Sequence, residues 1–193
     1  MPYNIERIYK NTSVKGVFFF DANIWINILT TGEKSSTQMA YCRFFENVCT
    51  NPSASIAVSP LLISEVINAY LRQIALPMYN EINNTTITTG RRFKSEYRLT
   101  EHYTTHLGIV CDEFDLRSLS FVYLTDLQLQ ASECLKYPKL DYNDFIYYKQ
   151  CLEEGYKIVT DDIDFFVEDV QILTLNKKLL SKNHEELTKG LRK

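Results

Sequence analysis

Val17-Phe18-Phe19-Phe20 is an unbroken apolar run that ends on an acid, Asp21. A strand with one wet face alternates apolar and polar residues, whereas a continuous run is expected of a central strand buried on both faces. Such a strand needs helices above and below it, which commits the chain to a layered α/β fold.

The rest of the chain continues that theme. Ile24, Trp25, Ile28 and Leu29 switch to helical spacing. Residues 36–49, with Met39, Phe44, Phe45 and Val48, read as a second amphipathic helix. Residues 54–58 form a short strand, and Ser59-Pro60 places a cap residue and a proline at the start of a helix running to about Gln73. A polar stretch at 80–90 precedes residues 92–136, which read as mostly helical. Residues 144–154 are a helix stopped by Gly155, and 158–160 and 171–175 are strands. Strands alternating with helices predict a mostly parallel sheet in three layers, α/β/α, within a single domain over residues 1–193.

Four acidic segments punctuate this pattern: Asp21, Glu65, Asp144, and Asp162 with Asp164. Three of them sit just after a β-like run or at a helix start, where an open α/β sheet gathers its ligands. Carboxylates brought together repel, and a divalent cation is the usual reason such a cluster is tolerated. The set contains no His or Cys, which suits hard ions such as Mg²⁺ or Mn²⁺. Taken singly, Asp21 reads equally as a helix N-cap, Asp144 or Asp141 as the cap of the following helix, and Asp162 and Asp164 as turn residues. Taken jointly, caps and turns do not explain why the acids follow buried strands.

Composition narrows the classes. The chain of 193 residues is 45% hydrophobic, enough for one sizeable core. No apolar run approaches a bilayer span, and the first sixteen residues lack the apolar stretch of a secretory leader. Five cysteines without CxxC spacing read as scattered thiols of a reducing, cytoplasmic protein, not as a disulfide frame or zinc site. Residues 1–16 and 177–193 are basic, so the body between them is more acidic than the net charge of −3 suggests. A polyanionic substrate would then need metal ions where it sits, and the basic tail could add phosphate contacts.

The ordered acids resemble those of the PIN-domain nucleases. In that family a first strand ends in Asp, a small residue and Asn or Ser, here Asp21-Ala22-Asn23. A Glu follows in the helix after the second strand, here Glu65. A third acid begins a helix ending at a Gly eleven residues on, here Asp144 and Gly155. A strand then enters a Thr-x-Asp-x-Asp-Phe signature, here Thr160 to Phe165. The resemblance covers residues 14–76 and 137–176. Glu65 and Asp144 stand 79 positions apart, farther than in compact members, so residues 78–136 are expected to hold an enlarged helical insertion.

The resemblance implies a ribonuclease that hydrolyses RNA by a two-metal mechanism with Mg²⁺ or Mn²⁺. It assigns Asp21, Asp144 and Asp162 as metal ligands, Glu65 as a water-mediated ligand or positioning acid, and Asp164 as a fifth acid. Asn23 and Thr160 would orient the ligands by hydrogen bonds. Small stand-alone members are commonly toxins of toxin–antitoxin pairs, implying a homodimer and a small antitoxin partner. Two alternatives stand beside it. One is a PIN scaffold that binds RNA or protein without strong catalysis. The other is a haloacid-dehalogenase-like phosphatase, which needs a second Asp where this chain has Asn23.

Arg91, Arg92, Lys94 and Arg98, interleaved with Phe93 and Tyr97, are the densest basic patch and suit single-stranded RNA; a charged helix face with two core aromatics fits equally. His102 and His106 have zinc-like spacing but no third ligand, so a solvated or RNA-facing role reads better.

Overall fold

The structure, a computed structural model, describes residues 3–125 and 127–190, the side chains of 187–190 excepted. In chain order it runs β1 (Asn4–Arg7), β2 (Gly16–Phe20), α1 (Ala22–Leu29), α2 (Ser36–Thr50), β3 (Ala54–Val58) and α3 (Pro60–Tyr70). A π-helical turn, Leu71–Ala75, carries α3 directly into α4 (Leu76–Asn83). Then come α5 (Arg91–Ser95), α6 (Glu101–Arg117), β4 (Phe121–Tyr123), α7 (Tyr142–Glu154), β5 (Lys157–Val159), β6 (Gln171–Thr174) and α8 (Lys177–Gly190).

Six strands form one sheet in the order β1-β6-β5-β2-β3-β4, every neighbouring pair parallel. The Phe run is its centre. Phe18, Phe19 and Phe20 are all fully buried, and alternation sends them to opposite faces. On one face Phe18 and Phe20 meet Phe44 of α2, and Phe20 also meets Phe45 at 4.9 Å between ring centres. On the other, Phe19 meets Tyr147 of α7 at 4.7 Å. Helices therefore cover both sides, and the expected three-layer α/β/α architecture is present.

The caps follow the sequence. Ser35 and Gln38 close a capping box on α2, Ser59 accepts from the Leu62 N–H, and Gly155 ends α7 with φ of +69°. Asp141, not Asp144, caps α7, accepting from the Asp144 N–H at 2.9 Å.

Some expectations need correction. The helix from Pro60 does not stop near Gln73; the π-turn inserts one extra residue per turn without breaking it, and it reaches Asn83. The stretch 92–136 is mostly helical, as expected, but within it Phe121–Tyr123 pairs with β3 as the sheet edge. Strand β1, at the opposite edge, was not expected at all; only Ile5 of its four residues is buried. Of the basic tail, Arg192, Lys193 and the Lys189 side chain lie outside the described residues. Among the described residues no helix is long and apolar enough to cross a membrane, and all five cysteines are free.

Candidate active site

Asp21 follows the last residue of β2, and its N–H donates to Val159 of β5 at 3.0 Å, extending the pairing by one step. This fixes it at the carboxyl end of the two central strands. It occupies the N-cap position of α1, yet its side chain makes no capping bond to that helix. Its Oδ2 instead accepts from Thr160 Oγ1 at 2.6 Å and from Asn23 Nδ2. Burial pushes the Asp21 carboxyl up to about 7, the charges of Asp162 and Glu65 adding to the rise and the Thr160 bond opposing it.

Thr160 is fully buried and uses all of its hydrogen-bonding capacity. Its hydroxyl donates to Asp21 and accepts from Asn23 Nδ2 at 3.3 Å and the Asp162 N–H at 2.9 Å. Asn23 Oδ1 in turn accepts from the Asp161 N–H at 3.3 Å. Tyr41 of α2 locks the same loop from beneath, donating to Asp161 Oδ1 at 2.8 Å and accepting from the Leu175 N–H. The loop that carries Asp162 is therefore held by the residues expected to orient ligands, Asn23 and Thr160.

Asp162 is half-buried, and its Oδ1 accepts from the Asp164 N–H at 2.8 Å, while Oδ2 has no hydrogen-bond partner among the described residues. The turn role and the ligand role are compatible on one carboxylate. Asp164 does not join the set. It is exposed and lines a separate cavity of about 550 Å³ with Lys139, Phe166 and Lys182, where its charge bears on Lys182.

Asp144 sits in the first turn of α7, half-buried, where the helix dipole favours an anion. Burial nonetheless pushes its carboxyl up to about 8, and the charges of Asp21, Asp141, Asp162 and Glu65 push the same way. Glu65 Oε2 accepts from the Tyr147 hydroxyl at 2.8 Å and Asn143 Nδ2 at 3.4 Å, both on α7. Burial and that carboxylate together raise Tyr147 far above the usual phenol range, so it is a donor at any physiological pH.

Asp21, Glu65, Asp144 and Asp162 thus come from four distant segments to feel one another's charge. All the donors are oxygens, the chemistry of a hard divalent cation. Among the described residues, however, no three acidic, His or Cys side chains are already posed to hold an ion. Asp21 is pinned by Thr160 and Asn23.

The basic patch is divided. Arg92 is engaged with Glu96 through two bonds of 2.7 and 2.8 Å, and Arg98 lies 5.5 Å from the Phe93 ring centre. Arg91 and Lys94 are exposed. Phe93 and Tyr97 are buried in the packing of α5 and α6 and offer no face for stacking bases. His102 and His106 are likewise built in: their Nδ1 atoms meet the hydroxyls of Tyr97 at 3.2 Å and Tyr70 at 3.1 Å, and burial lowers both imidazoles.

Three residues were missed in the sequence: Tyr41, Asn143 and Tyr147. Asn143 and Tyr147 stand i, i+4 beside Asp144, a spacing that puts both on one helix face, so the signal was present. Tyr41 left none. A family model described as PIN domain matches residues 18–168, which include every residue of the acidic set. No curated protein matches the chain.

Proposed function

The chain belongs to the PIN-domain family of metal-dependent nucleases, and from that premise we propose that it is a ribonuclease hydrolysing RNA phosphodiester bonds with Mg²⁺ or Mn²⁺. The observation that carries this reading is the gathering of Asp21, Glu65, Asp144 and Asp162 from four separate segments, where burial first and neighbouring acids second push the Asp21 and Asp144 carboxyls up. When bound, such ions would activate a water and neutralise the charge on the scissile phosphate. Asp21, Asp144 and Asp162 would hold them. Glu65, oriented by Tyr147 and Asn143, would accept a hydrogen bond from the attacking water or a metal-bound one. Thr160 and Asn23 would fix the Asp21 carboxylate so that it need not reorganise.

Arg91, Lys94 and Arg98, with Arg92 once released from Glu96, would offset the acidic body along the substrate. A cytoplasmic toxin acting as a homodimer under the control of a small antitoxin fits this reading.

One observation favours a non-catalytic scaffold instead: no three of the acids are yet posed around an ion. Cleavage of a labelled single-stranded RNA in Mn²⁺, abolished by EDTA and by Asp144→Asn, is the expected result. RNA left intact in Mn²⁺ by protein shown to be folded would overturn the nuclease reading in favour of the scaffold.

A further inference from the structure

A groove of about 370 Å³ opens from Glu65 along α3, lined by Leu61, Ser64, Glu65, Asn68 and Arg72 on one wall, with Asn143 beside Glu65 on the other. The α3 residues recur at i, i+3, i+4, i+7 and i+11, one continuous stripe of the helix. The stripe is polar after Leu61, and it runs from the acidic set into the π-turn that holds Arg72. Two turns separate Glu65 from Arg72, about 10 Å along the axis.

Arg72 is exposed, and among the described residues it has no carboxylate partner. Its guanidinium carbon lies 5.9 Å from the centre of the Phe93 ring, and that of Arg98 lies 5.5 Å from the same centre. Two unpaired guanidinium groups thus share one buried ring, which fixes both without neutralising either. A fixed fork of donors with no acceptor of its own is suited to bidentate contact with a phosphate.

We infer that the groove seats single-stranded RNA and that Arg72, with Arg98 beside it, grips a phosphate neighbouring the scissile one. This rests on the ribonuclease reading. It adds the direction in which the strand leaves the acidic set, along α3 toward α5, and a residue that carries substrate but no metal.

The test is binding of a fluorescent oligouridylate, followed by anisotropy at several salt concentrations in Ca²⁺, with cleavage in Mn²⁺ assayed in parallel. Arg72→Ala is expected to weaken binding about tenfold, as for a lost charged hydrogen bond. It should also shallow the logarithmic salt slope by about 0.7. Arg43→Ala, which removes an exposed charge on α2, should change neither, and Arg72→Lys should keep the slope while losing affinity. Equal affinity and parallel salt plots for Arg72→Ala and the parent, equal losses for Arg72→Ala and Arg43→Ala, or a parent that does not bind the RNA would each overturn the inference. A parent that binds RNA through Arg72 but does not cleave it would sustain this groove while removing the ribonuclease reading.

Discussion

The Thr160 hydroxyl donates to Asp21 Oδ2 at 2.6 Å across the junction of the two central strands, and Thr160 Oγ1 itself accepts the Asp162 N–H at 2.9 Å. One buried hydroxyl therefore sets the relative position of two acids that lie 141 residues apart. Thr160→Val keeps the shape and removes these two bonds together with the one from Asn23. It should lower Mn²⁺ affinity 10–100-fold, the usual cost of removing a partner that orients a ligand. It should also cost about 1–3 kcal/mol of stability, since a buried group loses its donor. Calorimetric titration with Mn²⁺ and thermal unfolding check both; unchanged affinity would mean that the hydroxyl serves packing alone.

Asp144→Asn removes a charge at constant size. Cleavage should fall by about 10²–10³-fold, comparable to deleting one preorganised electrostatic contact. Without metal the protein should hold or gain stability, because repulsion from Asp21, Asp162 and Glu65 is relieved. Wild-type cleavage by the variant would reduce Asp144 to a residue of the first helical turn.

The metal-free protein should lose stability as pH rises. Asp21 and Asp144 are raised from 3.8 to about 7 and about 8 in the folded chain, so folding favours their protonated forms. Their contribution is complete below about pH 4 and is lost as pH climbs through 7 to 8. The melting temperature in EDTA should fall by several degrees between about pH 5 and 8. Mn²⁺ should reverse the fall by binding the ionised carboxylates. A flat profile in EDTA would show that the acids do not confront one another.

Tyr147→Phe should detach Glu65 while leaving the ring against Phe19. A cost of about 1 kcal/mol in stability is expected for one hydrogen bond. Cleavage should drop 10–100-fold with little change in Mn²⁺ affinity, if Glu65 acts on water more than on the ion. A matching loss of metal affinity would make Glu65 a direct ligand.

Much of this was legible because it is local. The Phe run announced β2, Ser59-Pro60 announced α3, and Gly155 the end of α7, each through chemistry confined to a few neighbouring residues. The edge strands were not. β1 buries one side chain and β4 is three residues long, so neither leaves a periodic trace; the sheet supplies their order through pairing. The π-turn was invisible for a related reason, since Leu71 and Ala75 keep the apolar spacing of an ordinary helix. The acids were found by position, but whether Asp141 or Asp144 caps α7 depended on backbone geometry. The partnerships of Glu65 with Tyr147 and of Arg72 with Phe93 join segments that share no pattern.

The pairing of Asp21 with Val159 and Thr160 also sets when the site comes into being. Translation delivers chain at about 5–20 residues per second, so Thr160 trails Asp21 by roughly 7–28 s. Until then β2 has no β5 beside it, and Asp21 has neither its donor nor its fellow acids from α7 and the Thr160 loop. A nascent or prematurely terminated chain carries Asp21 and Glu65 but no assembled centre.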